Sequence, residues 1–387
     1  MNQKDSVAVI CEYNPFHFGH KHQIDILKNE FDTVVCILSG NIVQRGSVAI
    51  ADKYLRAEAA LKSGADLVAE LPVPWCCSSA RDFAAAGVHI AKALGVKYLA
   101  FGAEDGMDVL EKISLFTEGD EFEGIFKSIS EQSKSLSYPQ IFTQAVNRHL
   151  GGTYAEAVKK PNNILALEYI KALKGSGILP FAVKRSPNFE SSSQIRTKAS
   201  SGAMLAMLPE ESKKVFGREE NILFPRDEKR LDSFFVGRLR QLTQSDFESN
   251  KLYALPADLA SKILHAAQKH SRVCDIVSDC TDKTYTAARI RRAVNTLVFG
   301  ITAKSVNAPP PYTLILAADE KGRKILKNAR KNEIAEIINK PARALDASEK
   351  TKQAYSFAKR IEDILCLAEP VPTPADAPKN PIIIGEN

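Results

Sequence analysis

Two histidines three residues apart, in His17-Phe18-Gly19-His20, are the first residues of this chain whose type and spacing suit chemistry. The longer run Val7-Ala8-Val9-Ile10-Cys11-Glu12-Tyr13-Asn14-Pro15-Phe16-His17-Phe18-Gly19-His20 carries a short apolar strand into a loop, and an amphipathic helix begins right after it. A helix N-terminus presents unpaired backbone N–H groups and the positive end of its dipole, and a nucleotide triphosphate fits there. Gly19 admits close backbone approach, and both imidazoles can donate to phosphate oxygens as charge builds during attack at the α-phosphorus. That chemistry is AMP transfer with pyrophosphate as the leaving group. The same letters also suit a metal pair or two histidines satisfied at a helix start. A metal needs a third ligand and only Glu12 and His22 lie nearby, so no metal site is expected.

A second constellation follows a strand that ends at Lys184-Arg185, in Ser191-Ser192-Ser193-Gln194-Ile195-Arg196. Serines ahead of a helix cap it, and Ser192 and Ser193 can bind phosphate through hydroxyl and backbone N–H. Arg196 can clamp the β- and γ-phosphates as a fork. A serine-rich cap alone is common; it gains weight as a partner of the histidine loop on the same sheet. The expected catalytic set is His17, His20 and Arg196.

Positioning these residues takes a sheet. Strand-length apolar runs at residues 7–10, 33–38, 67–71, 98–101 and 179–184 alternate with helical stretches at 23–30, 50–63 and 82–94. The alternation predicts an α/β fold, a Rossmann-like doubly wound parallel sheet with ligands at the carboxyl ends of its strands. Residues 107–176 read as a helical insertion. After Arg196 the pattern is mainly α-helical until Pro309-Pro310-Pro311 breaks it. A small strand–helix–strand piece and a Pro-rich stretch at 369–381 follow. We expect a catalytic domain over 1–200 and a basic, mainly helical C-terminal domain over 201–387. Asp52 reads as a helix-start acid, and Glu70, at a strand end, as a residue able to position substrate.

The 387 residues carry 44% hydrophobic and 25% charged side chains, ordinary for a globular protein. No run of eighteen apolar residues predicts a membrane span, and no signal-peptide core precedes the first strand. Seven cysteines without a regular framework suit a reducing cytoplasm. No stable protein partner is expected. The net charge of +6 is uneven: residues 1–150 hold 14 Lys+Arg against 19 Asp+Glu, and residues 270–360 hold 18 against 9. A solvated basic face and a polyanion partner explain that excess equally well. In Lys283-Thr284-Tyr285-Thr286-Ala287-Ala288-Arg289-Ile290-Arg291-Arg292-Ala293-Val294 the helical period turns Ile290, Ala293 and Val294 inward. Lys283, Arg289 and Arg292 then point outward and, with Arg291, can meet RNA phosphates.

His17-Phe18-Gly19-His20 with Ser191-Ser192-Ser193-Gln194-Ile195-Arg196 resembles the HxGH and ISSTxIR pair of the adenylyl- and cytidylyltransferase superfamily, with Glu190 in place of Ile and Ser193 in place of Thr. A narrower set resembles the bacterial tRNA(Met) cytidine acetate ligases: Glu12-Tyr13-Asn14-Pro15-Phe16-His17, Ser39-Gly40-Asn41-Ile42-Val43-Gln44-Arg45-Gly46, Gly64-Ala65-Asp66-Leu67-Val68-Ala69-Glu70-Leu71-Pro72, Phe101-Gly102-Ala103-Glu104 and Lys160-Pro161-Asn162-Asn163-Ile164-Leu165. The resemblance implies that ATP, with Mg²⁺, and acetate give acetyl-adenylate, and that the acetyl group passes to N4 of the wobble cytidine of elongator tRNA(Met). It implies ATP contacts along residues 7–20 and at Gly102, Asn162 and Arg185. Gly102 and Asn162 also suit a turn glycine and a helix cap. The loop Ser39-Gly40-Asn41 with Gln44-Arg45 offers donors for acetate or the incoming cytidine. The sequence leaves two rivals open: a small-molecule nucleotidyltransferase, and an RNA-binding protein that senses ATP.

Overall fold

The computed structural model describes residues 4–133, 136–184, 189–198, 200–218, 224–243, 245–246, 251–371 and 380–383. Arg185 and most of the Pro-rich stretch lie outside the described residues. Five parallel strands form the body of one sheet: β1 (Lys4–Cys11), β2 (Phe31–Ser39), β3 (Leu67–Leu71), β4 (Tyr98–Ala103) and β5 (Leu179–Lys184), in the order β5-β4-β1-β2-β3. The chain winds from β1 through β2 to β3, then returns to lay β4 on the other side of β1. The order therefore reverses between β1 and β4, and a crevice opens at the carboxyl ends of those strands.

Both faces of the sheet are covered, so its strands read as unbroken apolar runs. Ala8, Ile10, Val35 and Ile37 face α3 (Ala80–Leu94), while Val7, Val9, Val34 and Cys36 face α1 (Phe18–Glu30) and α2 (Lys53–Lys62). Ser79 caps α3, and Gly95, in the left-handed region, ends it. At Gly87 a side chain would sit 2.3 Å from Ile10 Cδ1, so the missing side chain lets α3 lie close on β1 with Ile10 in place. Among the described residues the insertion expected at 107–176 holds five helices, the last of them Pro161–Leu173.

The C-terminal half begins as helices, with Asp232–Gln241, Ala257–Lys269, Val273–Cys280 and Ala287–Phe299 packed on one another. The strand–helix–strand piece beyond residue 311 joins the main sheet. Its first strand, β6 (Tyr312–Ala318), pairs antiparallel with β3, opposing Leu67 to Ala318 and Val68 to Ala317. Thr313 Oγ1 donates to Glu70 O at 2.7 Å. The sheet is thus mixed, not all-parallel as the alternation predicts. The reason is physical: β3 would otherwise be an open edge of fully buried residues, and β6 pairs it. Two short strands, β7 (Glu336–Ile338) and β8 (Ile382–Ile383), lie on the far side of β6.

One fully buried arginine ties the strand ends together. Arg56 of α2 donates from Nη1 to Glu12 O at 2.6 Å, from Nη2 to Ser39 O at 3.0 Å and Gly40 O at 2.6 Å, and from Nε to Ala51 O at 3.0 Å. Arg56→Met keeps most of the volume but leaves those buried carbonyls without donors. We expect a loss of about 3–5 kcal/mol in unfolding free energy, read from urea titration.

Candidate active site

The crevice between β1 and β4 holds a cavity of about 430 Å³. The loop after β1 forms one wall and is rigidly set. Tyr13 and Phe16 are fully buried with their rings edge-to-face at 4.8 Å, and Tyr13 takes a left-handed backbone, φ +43°, which is uncommon outside glycine. His17 is the N-cap of α1. Its Nδ1 accepts from the Gly19 N–H at 3.1 Å, and the His17 N–H donates to His20 Nδ1 at 3.3 Å. The two rings stack at 3.8 Å. A ring nitrogen that accepts carries no proton, so each imidazole holds its proton on Nε2, as a donor. Two N–H donors beside a helix start are the arrangement an anionic phosphate needs. Gly19 is tight here, since a side chain would meet His17 Cε1 at 3.0 Å.

The opposite wall suits a flat ring. Phe83, Phe101, Leu165 and Tyr169 supply apolar lining, and a side chain on Gly102 would meet nothing within 4 Å, which leaves open space above the end of β4. Asn162, second residue of the Pro161–Leu173 helix, donates from Nδ2 to Glu104 Oε1 at 2.6 Å. It lines the cavity and also fixes the loop after β4.

The structure brings Val9, Ile10, Cys11, Glu12, Tyr13, His17, Gly19, His20, Gly102, Asn162 and Ser192 to this one cavity. Val7 and Ala8 are fully buried in the sheet below it, and Phe18 is exposed on α1. Asn14 is buried, where its Oδ1 accepts from the Ile50 N–H at 2.7 Å. The serine–arginine turn differs from expectation. Ser191 caps a five-residue helix, Ser192–Arg196, in a capping box with Gln194. Arg196 does not line the cavity: Nη1 donates to Asn14 O at 2.6 Å and Nη2 to Ser193 Oγ at 3.2 Å. It fastens the late turn to the histidine loop, and Ser193 is its anchor.

Two charged residues that the sequence placed within longer expected stretches reach the cavity. Arg45 lines the mouth, and Glu12 stands inside with its Oε1 accepting from the Gln44 N–H at 2.9 Å. Burial raises the Glu12 carboxyl above its ordinary pKa, while the Gln44 N–H, Arg196 and Arg45 pull it back. The expected donor loop splits in two. Ser39 and Asn41 are buried away from the cavity, with Asn41 bridging Asp52 and the Lys53 N–H, whereas Gln44 and Arg45 reach it. Glu70 pairs with buried Lys53 at 2.7 Å, and burial raises its carboxyl to about 7. It braces the start of α2, where Asp52 is the N-cap and also binds Arg226 at 3.0 Å.

The basic helix Ala287–Phe299 lies against the cavity mouth. Asn295 Nδ2 donates to Gly46 O at 2.8 Å and Arg292 Nη1 to Gln44 O at 3.3 Å. Arg292 therefore does not point outward as the helical period suggests: it is half-buried and holds the loop, because Gly46 brings that loop onto the helix backbone. Lys283 is exposed, Arg289 lies 5.6 Å over the Tyr285 ring, and Arg291 acts with Arg196 on the Glu228 carboxyl, which accepts from the Val48 N–H. Among the described residues no three His, Cys, Asp or Glu gather as a metal site, and no helix is long and apolar enough to cross a membrane.

A family model described as HIGH Nucleotidyl Transferase matches residues 4–376. The chain is 31% identical over 378 residues to a tRNA(Met) cytidine acetate ligase of Fervidobacterium nodosum, covering 91% of this chain and 88% of that one. It is 33% identical to one of Caldanaerobacter subterraneus, with coverage of 87% and 89%. The crystal structure of Thermotoga maritima TmcAL bound with alpha-thio ATP superposes with a TM-score of 0.89 at 26% identity, over 99% of this chain and all of that one.

The contact between loop and helix is directly testable. Gly46 has φ +82°, and a side chain would lie 2.8 Å from the Arg292 backbone nitrogen. Gly46→Ala is expected to lower unfolding free energy by about 1–3 kcal/mol in a denaturant titration.

Proposed function

Because the chain belongs to the tRNA(Met) cytidine acetate ligase family of HIGH nucleotidyl transferases, we propose that it uses ATP to join acetate to a tRNA cytidine. Acetate displaces pyrophosphate from the α-phosphorus and forms acetyl-adenylate. The acetyl group then moves to N4 of the wobble cytidine of elongator tRNA(Met), and AMP leaves.

One observation carries this reading. The loop at residues 42–48 borders the nucleotide-sized cavity on one side and the basic helix Ala287–Phe299 on the other. A pocket for ATP and a surface for RNA phosphates therefore share one wall, and a splayed anticodon base laid along the helix reaches the pocket mouth.

The first step needs position and charge more than proton transfer. The Nε2 protons of His17 and His20, at the positive end of the α1 dipole, face the triphosphate. Ser192, Lys184 and Arg45 line the remaining walls. Arg196 acts through Asn14, as a positioning residue that keeps the histidine loop and the serine turn together. ATP enters as its magnesium complex. Mg²⁺ would neutralise triphosphate charge there, while His17, His20 and Ser192 would hold the phosphates beside it. Lys283, Arg289 and Arg291 meet tRNA phosphates, and the reaction takes place in the cytoplasm.

The decisive assay supplies ATP, labelled acetate and total tRNA, and the label is expected in cytidine. Pyrophosphate released from a nucleoside monophosphate partner without RNA would favour the small-molecule enzyme; ATP bound but never cleaved would favour a sensor. His20→Ala is expected to slow pyrophosphate release about 10²–10³-fold. Gly102→Val fills the open space at the end of β4. It should leave unfolding free energy unchanged while weakening ATP binding at least about tenfold by titration calorimetry.

A further inference from the structure

Acetyl transfer to cytosine N4 requires somewhere for a proton to go. The exocyclic amine is a weak nucleophile, and its attack on a carbonyl leaves an N–H that must be removed. Among the described residues lining the cavity, few side chains can accept one. His17 and His20 are excluded by their own hydrogen bonds, since each Nδ1 accepts from a backbone N–H and each Nε2 already holds a proton. Burial pushes the Cys11 thiol and the Tyr13 and Tyr169 phenols well up, so they stay protonated. His22 and Glu190 are exposed at the rim. Lys184 and Arg45 are cations.

Glu12 remains, and it is held at both its carboxylate and its carbonyl. Gln44 N–H donates to its Oε1 at 2.9 Å, and Arg56 Nη1 grips its carbonyl at 2.6 Å. Gln44 is itself fixed, with Nε2 donating to Ser78 O at 3.1 Å and its carbonyl accepting from Arg292 of the basic helix at 3.3 Å. With Oε1 engaged, Oε2 is the oxygen left to meet an amine.

Resting on the acetate-ligase reading above, we propose that the Glu12 carboxylate is the base that removes the N4 proton during acetyl transfer. The N4 lone pair attacks the acetyl carbonyl carbon of acetyl-adenylate and a C–N bond forms. The C–O bond to the phosphate breaks, AMP leaves with that electron pair, and the N4 proton passes to Glu12 and then to water. Burial makes the carboxyl a weaker acid than an exposed glutamate, and so a stronger base in its ionised form. The sign of the pH dependence follows. The ionised form is active, so transfer rises with pH through a pKa above the usual carboxylate range and then levels off.

The test separates the two half-reactions in the full-length protein. Acetate-dependent exchange of pyrophosphate into ATP reads adenylation; a single turnover of synthetic acetyl-adenylate with tRNA reads transfer. Glu12→Gln keeps an oxygen for the Gln44 N–H and removes the base. Transfer is expected to fall about 10²–10⁴-fold. That fall should exceed any fall in exchange at least about a hundredfold, and the rising limb of the pH profile should vanish. Transfer by the variant within about threefold of the parent, a surviving rising limb, or equal losses in both assays would overturn the proposal. A parent protein that releases pyrophosphate but leaves tRNA unlabelled would overturn the acetate-ligase reading itself.

Discussion

Strand ends are where a parallel sheet leaves backbone carbonyls without partners, and here those ends also carry the chemistry. Arg56 resolves both demands with one side chain. Its guanidinium collects carbonyls from the ends of β1 and β2 and from the residue before the N-cap of α2. Burial pulls its pKa down to about 10, which still leaves it charged at neutral pH. A fixed cation beneath the loop after β1 explains how that loop sustains the positive φ of Tyr13 and carries His17 into the cap of α1. Without it, four buried oxygens would need water and the loop would have to open.

The start of α2 gathers the rest of the molecule around that clamp. Asp52 binds Arg226, which also binds Glu369 at 2.7 Å, and Lys53 lies between Glu70 and Glu362. Two of these ties, Asp52 to Arg226 and Lys53 to Glu362, bring residues from beyond position 200 onto a helix of the nucleotide-binding sheet. Such buried ion pairs contribute little net stability, because desolvation offsets their attraction. Their value is orientation: breaking one leaves a bare charge inside, so alternative placements of the C-terminal half are penalised.

Parts of this were legible in the sequence because they rest on local periodicity. The five parallel strands, the helix behind the HxGH loop and the helical insertion all fall where the apolar spacing predicts. The Asp52 cap and the Ser191 cap follow from residue type alone. Three features were not legible. Arg56 recognises carbonyl oxygens, which every residue has, so no partner letter marks it. Arg292 shows that a helical period tells which side is outward only until another loop lands there; Gly46, lying 246 positions earlier, decides the outcome. Arg196 looks like a phosphate fork by motif, but its nearest oxygen belongs to Asn14.

The antiparallel strand β6 has a consequence for biosynthesis. A chain emerging from the ribosome finishes β3 at Leu71, but the strand that covers its open side does not begin until Tyr312. At about 5–20 residues per second, the roughly 240 intervening residues take about 12–50 s to make. Throughout that interval the open side of this five-residue strand presents bare amides and carbonyls, a template for wrong pairing with neighbouring nascent chains. Crowded polysomes, rather than the mature fold, are where this architecture is most exposed to aggregation.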